Sequence, residues 1–153
     1  MRAARVLWND GAHAAAIETL RQALAAAEEH RDAAATQPLA RELARMLVSE
    51  NQPQAALDLL KRLESRFIDD ADAWSLRANA QQRLGMHVEA SESYLGALRL
   101  RGGEPRWMLG AAISLAAVGR LDEARLWTER AAERGPIPPS IATYLRQLGV
   151  AVP

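Results

Sequence analysis

At 153 residues, with 49% apolar and 25% charged side chains, the chain has the size and make-up of one globular domain with its own core, and is too short for two of ordinary size. Its 19 basic and 19 acidic residues cancel, which weighs against a general nucleic-acid or anionic-membrane surface, because such surfaces need a basic excess. There is no cysteine, so disulfides and thiolate metal sites are excluded, and no apolar run approaches the roughly 20 residues that cross a bilayer.

The first segment, 1–36, carries Val6, Leu7 and Trp8 on a helix that begins mid-pattern at Met1, as a fragment of a longer protein would. Arg2 and Arg5 are not followed by an apolar run of signal-peptide length. Gly11, Ala16, Leu20 and Ala23 then have the spacing of a turn and a second helix. The same spacing returns as Asn51, Ala56 and Leu63, as Gly85, Ala90 and Ala97, and as Gly119, Ala124 and Ala131, with 34 residues between successive copies from Asn51 onward. Gly11 to Asn51 is 40 residues. The surplus is expected in Arg31–Thr36, as an extended helix or a loop.

A recurrence at this period marks units too small to bury their own apolar face, which must stack on their neighbours. The period divides the chain into 37–70, 71–104 and 105–138, each read as helix, tight turn, helix. In 71–104, Trp74, Ala78, Gln81 and Leu84 recur at helical spacing and stop at Gly85, and Val88, Ala90, Tyr94, Ala97 and Leu98 form a second stripe before Gly102-Gly103. Ala44, Ala78 and Ala112 on the first helices, with Ala56, Ala90 and Ala124 on the second, would let paired helices approach closely, leaving Leu47, Trp74, Tyr94 and Leu115 to fill the space beside them. Pro136–Pro139 breaks the pattern. Ser140 then reads as the N-cap of a short helix, 139–149, with Ile141, Tyr144, Leu145 and Leu148 on one face, suited to cap the apolar end of the stack.

Residues that carry chemistry elsewhere have structural readings here. His13, His30 and His87 are far apart and no metal-binding pair at helical spacing exists, so they read as exposed polar residues. Asp69, Asp70 and Asp72 precede a helix, where negative charge is favoured. Gly102-Gly103 lacks the Lys-Ser/Thr and the preceding strand of a phosphate loop. Trp107 and Trp127 read as packing residues. No catalytic residue, cofactor or metal is expected.

Trp74, Gly85, Ala90, Tyr94 and Ala97, with Gly119, Ala124, Ala131 and Pro136 one repeat later, resemble the tetratricopeptide repeat family across nearly the whole chain. The pattern is broken at Arg77, Gln81 and Thr128 and by Asn51 in place of Gly. The resemblance implies an all-α solenoid of helical hairpins, about three and a half repeats closed by a capping helix. More narrowly, Arg106-Trp107-Met108-Leu109-Gly110, Gly119-Arg120-Leu121-Asp122-Glu123-Ala124 and the Pro139–Leu148 helix look like the C-terminal repeat domain of bacterial proteins for biogenesis of MSHA-type, type IV-like pili. Those typically carry a membrane anchor ahead of a periplasmic array.

In the family the first helices of the hairpins line a concave groove. Carried over position by position, that groove comprises Arg41, Arg45, Val48 and Ser49, then Asp72, Ser75, Asn79, Gln82 and Arg83, then Arg106, Leu109, Ile113 and Ala116, with Arg5, Trp8 and Asn9 extending it. Arginine forks match carboxylates, so the implied ligand is an extended protein or peptide segment with an acid and an apolar anchor. Leu109 and Ile113 stand where carboxylate-clamping members of the family carry basic residues, which argues against a chaperone tail. The expected function is a non-catalytic interaction scaffold in pilus or secretion assembly, on the periplasmic side of the inner membrane rather than in the cytoplasm. It would bind no nucleic acid and, in this segment, no membrane. The alternative is a regulatory or docking module of a cytosolic enzyme or chaperone complex. The incomplete N-terminal unit also offers apolar residues through which two copies can pair.

Overall fold

The computed structural model describes all residues, 1–153, and its regular structure is all helical, with one short 3-10 turn at Glu64–Arg66 and no strand. Its helices are α1 (Arg2–Asn9), α2 (His13–Glu29), α3 (Ala33–Ser49), α4 (Pro53–Arg62), α5 (Ala71–Arg83), α6 (His87–Leu100), α7 (Pro105–Ala117), α8 (Leu121–Ala132) and α9 (Pro139–Gln147). They fall into two compact units, residues 1–68 and residues 69–153.

One turn recurs in both units. Gly11, Asn51, Gly85 and Gly119 each sit in the left-handed region, at φ of 82°, 55°, 75° and 81°, in the middle of a three-residue connection. The next residue's N–H reaches back to the third-last helical carbonyl: Ala12 to Leu7, Gln52 to Leu47, Met86 to Gln81 and Arg120 to Leu115, all at 2.8–2.9 Å. The left-handed residue's own N–H bonds one carbonyl later, at Trp8, Val48, Gln82 and Ala116. This Schellman pattern satisfies carbonyls that a helix end otherwise leaves open, and it needs a residue that tolerates positive φ.

The same turn joins α2 to α3, with Arg31 at φ 53° and the Asp32 N–H on the Ala27 carbonyl. A side chain in that conformation costs about 1 kcal/mol, which is why the position does not read as a turn. The surplus length is therefore helical. Arg31–Thr36 is the left-handed residue, the N-cap Asp32, whose carboxylate accepts from the Ala35 N–H, and the opening turn of α3. Both α2 and α3 run for 17 residues, against 10–14 for α4 to α8.

Small residues bring the helices together. Ala44, Ala56, Ala78, Ala90, Ala112 and Ala124 are all completely buried. In the second unit two aromatic rings lie against helical glycines: Trp74 of α5 on Gly96 of α6, and Tyr94 of α6 on Gly110 of α7. Two of the polar interruptions of the apolar stripes, Gln81 and Thr128, have local hydrogen-bond partners. The Ser93 hydroxyl donates to buried Gln81 at 2.7 Å, and the Thr128 hydroxyl to the Ala124 carbonyl at 2.8 Å.

The terminal helix differs from its expected start. Pro138, not Ser140, is the N-cap of α9, and Pro139 takes the first helical position, where its missing N–H costs nothing and its fixed φ suits the helix. Ala142 and Leu145 are buried, and Val150 after the helix is too, whereas Tyr144 is 44% exposed. Leu145 and Val150 join the cluster of Trp107, Leu115 and Ala124, with Ile141 and Leu148 packed beside it.

Candidate functional site

A cavity of about 510 Å³ in the second unit opens beside the first helices of its two hairpins. Helix α5 supplies Asn79 and Gln82 and α7 supplies Arg106, Leu109 and Ile113; these five were expected to share a groove, and all line this cavity. Helical spacing explains the set, since 79 and 82, and 106, 109 and 113, each fall on one face. The Pro136-Ile137-Pro138 strap and Ile141 of α9 form a further wall, and buried Tyr94 and Gly110 form the floor. None of the lining residues is acidic.

Hydrogen bonds hold the polar residues in place. The Gln82 amide nitrogen donates to the Gly110 carbonyl at 2.9 Å and to the Ser114 hydroxyl at 2.7 Å, tying α5 to α7 across the cavity floor. The Arg83 guanidinium donates to the Asn79 side-chain oxygen at 2.9 Å. Burial pushes the Tyr94 phenol up to about 12, against the opposing pull of the Asn79 hydrogen bond and the Arg83 charge, so the ring is neutral at any physiological pH. Ser75 lies elsewhere: its hydroxyl bonds the Asp72 carbonyl in the first turn of α5. The strap and the Tyr94 floor were not legible as a site. The prolines read as a helix break, and Tyr94 reads as a core residue.

In the first unit, Arg45 is engaged within the protein. Its guanidinium donates to both oxygens of Glu42, at 3.0 and 2.9 Å, and Arg5 adds a third bond to Glu42 at 3.2 Å. Ser49 bonds the Arg45 carbonyl, and Arg41 is half-buried on the same helix. A ligand carboxylate at Arg45 would have to compete with Glu42, which sequence spacing did not single out. None of Arg41, Arg45 and Ser49 lines the first unit's cavity of about 210 Å³ beside α2, α3 and α4, where the Arg62–Glu28 ion pair sits.

The Arg45 hydrogen bonds hold the Glu42 carboxyl below the ordinary carboxylate range, outweighing the burial that would raise it. The stabilisation is fully present above the unfolded pKa, about 4.3, and is lost as pH falls through the lower folded value. In urea titrations across pH, the stability difference between the natural chain and Glu42→Gln is expected to be constant at neutral pH and to shrink below about pH 4. A difference independent of pH would show that Glu42 contributes nothing through its charge.

His30 is exposed, as expected, whereas His13 and His87 are half-buried. His13 stacks on Trp8, with ring centroids 4.2 Å apart, and its Nδ1 lies 2.6 Å from Glu50, while His30 contacts the Ala26 carbonyl. No three His, Asp or Glu residues gather to hold a metal, and no helix is long and apolar enough to cross a membrane. Asp70 caps α5 by accepting from the Ala73 N–H, and Asp72 pairs with Arg101. Trp107 is buried and Trp127 packs against the same core. No family model matches the chain, and no curated protein matches it at a significant level.

Proposed function

We propose that this chain is a tetratricopeptide-like adaptor, without catalytic activity, that captures an extended segment of a partner protein in the second unit's cavity. The observation that carries the reading is the cavity itself. A concave, largely apolar space with a few fixed polar groups is what peptide and small-ligand sites have in common. Asn79, Gln82, Arg106, Leu109 and Ile113 come from the first helices of two successive hairpins. The 34-residue spacing, the repeated Schellman turns and the buried alanines at equivalent positions support the tetratricopeptide-like part of the reading.

Panning a phage-displayed library of short random peptides on the purified protein supplies a ligand for measurement. Ile113→Glu is expected to weaken the best selected peptide by about tenfold or more, because a half-buried aliphatic wall becomes a charge that binding would desolvate. Circular dichroism should report an unchanged helix content. Failure to enrich any peptide, or equal binding by the variant, would overturn the reading.

The narrower resemblance supplies the setting: a type IV-like pilus or secretion assembly on the periplasmic side of the inner membrane. Fractionation of cells expressing the chain within its natural gene tests this, and a cytosolic product would favour the docking module of a cytosolic enzyme or chaperone complex.

A further inference from the structure

The residues lining the second unit's cavity carry one charge, that of Arg106. Arg106 is exposed at its lining and has no carboxylate partner, whereas Arg5, Arg45, Arg62, Arg101 and Arg120 are each paired with one. Arg83, one hydrogen bond behind Asn79, spends its donor on a neutral amide. Tyr94 adds no negative charge, and the lining contains neither Asp nor Glu. Next to this positive rim lie Leu109, Ile113, Ile137 and Ile141, all aliphatic. Pro136 and Pro138 have no N–H to offer an extended ligand, which leaves the strap its carbonyls and the Ile137 N–H for main-chain contact. Discrimination between ligand side chains falls to the side chains of the lining.

We infer that the segment bound in this cavity is acidic, carrying a carboxylate for Arg106 beside an aliphatic side chain that enters between Ile113 and Ile141. This rests on the cavity being a peptide site, and it moves the acid-binding role from Arg45, which Glu42 occupies, to α7. A guanidinium gains most from a carboxylate it can meet with two parallel hydrogen bonds, and the low-dielectric wall beside it strengthens the pairing. Aliphatic burial adds affinity without charge, so the two parts of the ligand can be separated by experiment.

The same random-peptide library is panned in parallel on the natural protein, Arg106→Gln, Arg106→Glu and Arg41→Glu. The natural protein and Arg41→Glu should both enrich sequences in which Asp or Glu lies near Leu, Ile or Val. Arg106→Gln should keep the aliphatic preference and lose the acidic one, and Arg106→Glu should exchange it for Lys or Arg. A selected acidic peptide should bind Arg106→Gln about tenfold or more weakly than the natural protein, as expected for one lost charge-assisted bond. Enrichment of aliphatic peptides without acids would overturn this inference and leave the adaptor reading standing. An acidic preference that survives Arg106→Gln would remove Arg106 from the role, and no enrichment on any protein would sink both readings.

Discussion

Gly110→Val is expected to destabilise residues 69–153 by about 3 kcal/mol or more, lowering the melting temperature by roughly 12–24 °C. A Cβ at this position would lie 2.7 Å from both ε carbons of the Tyr94 ring. Tyr94 is itself buried and held between two helices, so the ring has little room to retreat. Glycine inside a helix costs about 1 kcal/mol relative to alanine; the close seat for Tyr94 offsets that cost. Trp74 on Gly96 repeats the device one helix pair earlier, with the added Cβ 2.8 Å from the ring.

A double-mutant cycle separates the clash from an intrinsic effect on α7. In a Tyr94→Leu background the flat ring is gone, and Gly110→Val should cost at least about 1 kcal/mol less than in the natural chain. Equal costs in both backgrounds would mean that the ring contact does not set the identity of residue 110. The cycle bears on binding as well, since Tyr94 and Gly110 form the cavity floor and the Gly110 carbonyl receives Gln82.

What the sequence made legible follows from which interactions are local. A Schellman turn demands a residue that accepts positive φ, so Gly11, Asn51, Gly85 and Gly119 announced their turns, and the alanines at fixed offsets announced the close helix pairs. Arg31 adopts the same conformation against its own preference, and nothing in its identity signals it. Pro38 lies inside α3, although a missing N–H ordinarily marks a helix start, and α3 begins five residues earlier, at Ala33 under the Asp32 cap.

The candidate site divides in the same way. Asn79, Gln82, Arg106, Leu109 and Ile113 were named only through the groove that the tetratricopeptide resemblance implies; helical periodicity then accounts for their lining one cavity. Ser75 shares that periodicity but turns its hydroxyl to its own helix, and Arg45 is diverted by Glu42, a partner only three residues away whose role depends on burial. The strap and Ile141 come from beyond the repeat, so no period predicts them. A site assembled from one periodic wall and one unique wall is half visible in sequence for that reason.

Leu145 is the largest fully buried side chain of the helix that supports the unique wall. Leu145→Ala is expected to cost about 2–5 kcal/mol, the usual range for truncating a fully enclosed leucine. Leu145 is completely buried in the cluster that includes Trp107 and Leu115. Helix α9 has only nine residues, too few to hold its conformation without tertiary packing. Ile141, which lines the cavity, lies one helical turn before Leu145 on the same face. Loosening Leu145 should therefore disturb the cavity without touching it: backbone amides of α9 lose hydrogen-exchange protection, and a selected peptide binds more weakly. Tyr144→Ala is the matched control, because its exposed side chain should contribute within about 0.5 kcal/mol. If Leu145→Ala melts with the natural chain, α9 is not held by the core. If it is destabilised but binds the peptide normally, the ligand contacts only the periodic wall of α5 and α7.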